Sequence, residues 1–104
     1  MININNKEET VLKTLGDRLR EARLARNESQ EVFAQRLGLA RQSYGKMEKG
    51  NPSIPVGYWL QASSILGRLD TWGKVLQEQE DLFLQYEQNQ AGRKKAGRRR
   101  TSKT

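Results

Sequence analysis

The sequence contains no histidine and no cysteine. Without imidazole or thiol there can be no Cys/His zinc site, thiol nucleophile, imidazole general base or disulfide framework. Proline occurs twice, at Pro52 and Pro55, so the residue that breaks helices is confined to one loop. No apolar run approaches the roughly 20 residues that span a bilayer, and the start MININNKEET lacks the basic-then-apolar order of a secretory leader. Rings are also scarce: two Trp, three Tyr and two Phe, mostly at core-like positions, leave few to stack on unpaired bases. A chain of 104 residues builds one small core and no large cleft. The expectation is a cytoplasmic binding protein, not an enzyme, that uses no metal or cofactor.

Charge is plentiful but uneven. The formal net charge is +7, and the stretch AGRKKAGRRRTSKT at 91–104 carries it all: Arg93, Lys94, Lys95, Arg98, Arg99, Arg100 and Lys103 stand there without an acid. Residues 1–90 are therefore neutral, and specificity must come from where individual charges sit. The tail, with no core-forming residue, is expected to be disordered and to supply sequence-independent attraction to a polyanion.

The segment SQEVFAQRLGLARQSYGKMEKG, Ser29 to Gly50, reads as two short helices joined at a tight corner. Ser29 is a suitable N-cap, Glu31 complements the first turn, and Gly38 is placed to end the helix in a left-handed conformation. Val32, Phe33, Ala34 and Leu37 form the apolar face of the first helix, and Leu39 folds inward. The second runs from Ala40 to about Lys49, with Tyr44 and Met47 inward and Arg41, Gln42, Ser43, Gly45 and Lys46 outward, before Gly50 stops it. Arg and Lys suit guanine O6 and N7, and Gln suits adenine N6 and N7. Arg41 and Gln42 lie in the first turn, and Lys46 lies four residues past Gln42, so the three share a face. Alone, such a face is an ordinary solvated one; with the complete two-helix pattern it reads as a DNA-binding helix-turn-helix.

Around this motif the chain reads as all-α. Residues 1–10 show no periodicity and are expected to be a flexible N-terminus, with a helix starting near Thr10. Leu12, Leu15, Leu19 and Ala22 form its stripe, and Asn27 ends it in a left-handed conformation. After the Pro52–Pro55 loop, Val56 to Leu66 makes a fourth helix closed by Gly67, with Trp59 in the core. Leu69, Trp72, Val75 and Leu76 signal a fifth helix that completes a domain over 11–77. Trp72 and Leu76 belong either to a dimer interface or to the monomer core. The extension 78–90 sets Glu78, Glu80, Asp81 and Glu87, with no base, beside Leu82, Phe83, Leu84 and Tyr86. It extends the last helix, pairs with a second protomer through residues such as Leu82, Phe83 and Tyr86, or docks on a partner.

The Ser29–Gly50 segment resembles the helix-turn-helix of the Xre/Cro/phage-repressor superfamily, over roughly residues 12–70. The resemblance implies a five-helix fold like that of lambda repressor, with a phosphate contact from Gln30 and base or backbone contacts from Arg41, Gln42, Ser43, Lys46 and Lys49. It also implies a structural ion pair of Arg23 with Glu48, and a homodimer on a palindromic operator in double-stranded DNA. Four residues depart from the family pattern: Ala40 forgoes a side-chain cap, Glu28 stands where an apolar residue is usual, Gly45 sits inside the second helix at an intrinsic cost of about 1 kcal/mol, and Tyr44 replaces an aliphatic, its ring expected inward and its hydroxyl at the rim. The segment PSIPVGYWLQASSILGRLD resembles HipB-type repressors, antitoxins encoded beside HipA-like kinase toxins. Function by resemblance is thus a transcriptional repressor of antitoxin type. A stand-alone Xre-type repressor and an adaptor using the motif as scaffold are the alternatives.

Overall fold

The computed structural model describes residues 2–79 and, in isolation, Glu87. Helices α1 (Asn6–Ala25), α2 (Gln30–Leu37), α3 (Arg41–Glu48) and α4 (Val56–Ile65) are followed by a 3₁₀ helix at Leu69–Lys74, with no strand among the described residues. The fold is the all-α arrangement expected. The extension beyond Gln79, with Leu82, Phe83 and Tyr86, and the basic tail lie outside the described residues.

Two element boundaries differ from the sequence expectation. Helix α1 begins at Asn6, ahead of the expected Thr10, because Asn5 and Glu8 form a capping box: Glu8 N donates to Asn5 Oδ1 at 2.8 Å and Asn5 N to Glu8 Oε1 at 3.0 Å. The box satisfies amides that no apolar stripe marks in this polar stretch. The fifth helix is a short 3₁₀ element. It ends where Val75 is extended, and Leu76 takes φ 64° and is 97% exposed, so Leu76 joins neither a helical stripe nor the core. The other ends fall as read, with Asn27 at φ 58°, and Gly38, Gly50 and Gly67 all left-handed.

Leu19, Phe33, Ala34, Leu37, Tyr44, Met47, Trp59 and Ala62 form the core. Phe33 and Tyr44 meet with ring centroids 5.4 Å apart in a tilted pair. Val32, expected on the apolar face of α2, is 42% exposed, since Phe33, Ala34 and Leu37 take the inward positions. Trp72 packs against the core of its own chain and donates its indole N–H to Ser63 Oγ at 2.7 Å. Ser63 in turn donates to the Trp59 carbonyl at 2.8 Å, so the 3₁₀ helix is fastened to α4.

The inward face of α1 carries Gly16, Leu19, Ala22 and Arg23. Gly16 permits a close approach of two backbones: a Cβ there would run into the carbonyl of Glu48 at the end of α3. Gly50 meets α1 from the other side, where a Cβ would lie 2.8 Å from the Leu12 carbonyl carbon. Two glycines thus let the end of α3 rest on the backbone of α1. Gly45, inside α3, is different, because a Cβ there would meet only Gln30 Oε1 at 3.7 Å. Gly16→Ala should therefore destabilise the fold by about 1–3 kcal/mol through a forced backbone shift. Gly45→Ala should be neutral or stabilise by about 0.5–1 kcal/mol as a better helix former. Thermal melts of both variants check the opposite signs; equal shifts would show that α1 and α3 are not in backbone contact.

Candidate nucleic-acid interface

The corner between α2 and α3 is built by local backbone chemistry. Ser29 Oγ accepts from Val32 N at 3.1 Å and opens α2. Gly38, at φ 72° and ψ 24°, closes it, with its own N–H directed at the carbonyls of Ala34 and Gln35. Leu39 N then donates to Ala34 O at 3.0 Å, and α3 starts from Ala40, which makes no side-chain cap bond. An uncapped start forgoes about 0.5–2 kcal/mol. Packing must hold α3 in place instead.

It does so through the far end of the helix. Glu48 is buried and accepts four hydrogen bonds. Arg23 of α1 donates twice, from Nε to Oε2 at 2.6 Å and from an Nη to Oε1 at 3.2 Å. Tyr44 of α3 donates its hydroxyl to Oε2 at 2.5 Å, and Gln30 of α2 its amide to Oε1 at 3.0 Å. A carboxylate offers about four acceptor positions, so this one is saturated. The Tyr44 hydroxyl, expected at the rim, is fully buried because Glu48 draws it inward. Arg23 also donates to the Glu28 carbonyl at 2.7 Å, tying in the turn before α2.

Electrostatics follow from burial and these bonds. Burial alone would push the Glu48 carboxyl up, but the hydrogen bonds from Arg23, Tyr44 and Gln30 together hold it below its ordinary range. Burial, reinforced by the Glu48 carboxylate, raises the Tyr44 phenol far above its usual value and keeps it a donor. The bond to Glu48, against the cost of burial, raises Arg23. The cluster is therefore a fixed cation, anion and neutral donor at neutral pH.

Its consequence at the surface runs through Gln30. Because a carboxylate only accepts, the Gln30 amide nitrogen must face Glu48, and its oxygen is turned toward Arg41, whose guanidinium donates to it at 3.0 Å. A hydrogen-bond chain thus leads from buried Arg23 to exposed Arg41. Arg41, Gln42 and Lys46 are exposed on α3, as is Lys49 at its end, whereas Ser43 and Gln30 are half-buried. An eight-residue helix is about 12 Å long, and the major groove of B-DNA is about 12 Å wide.

Sequence reasoning missed two parts of this arrangement. Tyr44 belongs to the ionic cluster; a polar tip four residues before Glu48 on one helix face was the available signal. Glu28, which looked out of place, accepts a two-pronged contact from Arg36 at 3.2 and 2.8 Å. Their eight-residue separation spans a turn and follows no helical spacing, so nothing in the sequence pointed to it. Among the described residues there is no cluster of acids that could hold a metal ion, and no helix is long and apolar enough to cross a membrane.

Fold and surface together define a helix-turn-helix protein. A family model for the helix-turn-helix domain matches residues 14–71, more than half of the chain, and the chain belongs to that family. No curated protein and no solved structure gives a match.

Because the Glu48 carboxyl is held below its ordinary value of 4.5, its stabilisation is complete above that pH and is lost as pH falls through the lower folded value. Equilibrium unfolding should accordingly show stability declining on acidification below about pH 4.5. Glu48→Gln should cost about 3–5 kcal/mol at neutral pH by leaving Arg23 buried without a counter-charge, and should flatten the acid decline. An equal acid slope in both proteins would place the acid sensitivity elsewhere.

Proposed function

We propose that this chain is a sequence-specific DNA-binding transcriptional repressor that lays α3 in the major groove. The observation that carries the reading is the exposed set Arg41, Gln42 and Lys46 on a helix whose far end is fixed by the Glu48 cluster. One guanidinium N–H of Arg41 is held by Gln30, which leaves its other N–H groups for a base edge, with guanine O6 and N7 the natural acceptors. Gln42 suits adenine, Lys46 a guanine or phosphate, and Ser43 and Lys49 the flanking backbone. Gln30 uses one N–H on Glu48 and offers the other to a phosphate at the start of α2. The protein does no chemistry of its own and acts in the cytoplasm, at the nucleoid when bound.

A homodimer on a palindromic operator extends this reading, because an eight-residue recognition helix touches few base pairs and two of them one DNA turn apart multiply the discrimination. The likeness of residues 52–70 to HipB-type repressors supports an antitoxin role beside a HipA-like kinase. A kinase-like reading frame next to the gene would strengthen that assignment; an isolated gene favours a stand-alone repressor.

Arg41→Ala and Gln42→Ala should each leave the melting temperature near wild type, since both side chains are exposed. Each should lose about 1–3 kcal/mol of discrimination at particular base pairs. Selection from random duplexes, followed by binding of the selected and scrambled sequences, measures it. Unchanged ratios in both variants would remove α3 as the reading element.

A further inference from the structure

On a surface formed by α1, α4 and the 3₁₀ helix lies a groove of about 490 Å³. Leu15 and Leu19 of α1, Trp59 and Leu66 of α4, and Trp72 and Val75 supply most of its apolar lining. The charged residues in that lining are Arg18 and Arg68, neither of which is in an ion pair among the described residues. Val11 and Val75, at its edge, are 59% and 54% exposed. A groove of this volume is in the range that takes a small ligand or a few large side chains.

Just past this groove the chain turns. Val75 lines it, Leu76 is left-handed at φ 64°, and Gln77 N donates back to Lys74 O at 3.1 Å, a bond that closes a chain-reversing turn. Just past the turn, EQEDLFLQYE at 78–87 combines four acids and no base with Leu82, Phe83, Leu84 and Tyr86. We propose that residues 80–86 dock in the groove of their own chain, with apolar side chains over Trp59 and Trp72 and carboxylates against Arg18 and Arg68.

Three arguments favour this occupant. Apolar lining with two cations that have no ion pair among the described residues complements an apolar segment with acids alone. Leu82 is seven residues from Val75, a span of up to about 25 Å when extended, which is ample to fold back across the groove. The short tether also holds the segment near the groove at roughly millimolar effective concentration, whereas a second copy must meet the cost of association.

Because the chain has no cysteine, Gln88→Cys gives the full-length protein a single nitroxide, and two tryptophans give two resolvable indole N–H signals. With spin label and isotope label on the same molecules, both signals should lose most of their intensity and regain it when the nitroxide is reduced. Phe83→Asp should restore them with the nitroxide still active. In a mixture of isotope-labelled chains and separately spin-labelled chains the signals should remain. Loss of signal in the mixture would assign the groove to a second copy and overturn the proposal. So would full signals throughout, or broadening that Phe83→Asp leaves unchanged, as a tethered but undocked segment would give.

Discussion

The carboxylate of Glu48 is the group on which the placement of α3 depends. Its four donors come from α1, α2 and α3. A short helix without a side-chain cap has little stability of its own, and eight residues are fewer than an isolated helix needs in water. Its register must be imposed from outside. Apolar packing of Tyr44 and Met47 fixes depth and tilt, but apolar contacts are nondirectional and tolerate rotation. Hydrogen bonds to one buried anion do not. Removing Arg23 leaves the Glu48 charge buried without its counter-ion, and removing the Tyr44 hydroxyl or the Gln30 amide leaves one acceptor position of the carboxylate unfilled.

Close approach of two backbones makes the cluster feasible. Gly16 and Gly50 bring the end of α3 onto α1, and Arg23, two turns along the same face from Gly16, then reaches Glu48 while remaining buried. The price of desolvating both ions is offset by saturation of the carboxylate with hydrogen bonds and by the Arg23 charge. Gln30 transmits the order outward to Arg41. Interior and the exposed face of α3 are thus linked by four side chains in series.

Much of this was legible in the sequence, for identifiable reasons. Helix ends at Asn27, Gly38, Gly50 and Gly67 follow from residues that tolerate a left-handed backbone, and the inward positions Phe33, Leu37, Tyr44 and Met47 follow from helical spacing. Local rules failed where the cause was either polar or distant. The capping box at Asn5 starts a helix with no apolar residue in its first turn. The 3₁₀ helix could not be told from an α-helix, since Leu69, Trp72, Val75 and Leu76 fit either, and the left-handed Leu76 that breaks the pattern is a residue type that seldom adopts that backbone. Gly16 gave no signal, because only the position of Glu48, 32 residues away, explains it. The Arg23–Glu48 pair came through a family resemblance; its further bonds to Tyr44 and Gln30 required coordinates.

The most direct test separates the cluster's role in ordering α3 from its role in stability. Replacing Arg23→Met, Tyr44→Phe and Glu48→Leu together removes both charges and the buried hydroxyl while roughly keeping volume, and leaves the half-buried Gln30 amide to solvent; exchange of a buried ion pair for apolar side chains is commonly neutral or stabilising. If the carboxylate sets the reading side chains, this variant should melt at or near the wild-type temperature yet lose about tenfold in discrimination between selected and scrambled duplexes, the worth of about one base contact. A folded triple variant with wild-type discrimination would contradict that role and leave apolar packing alone to position the helix.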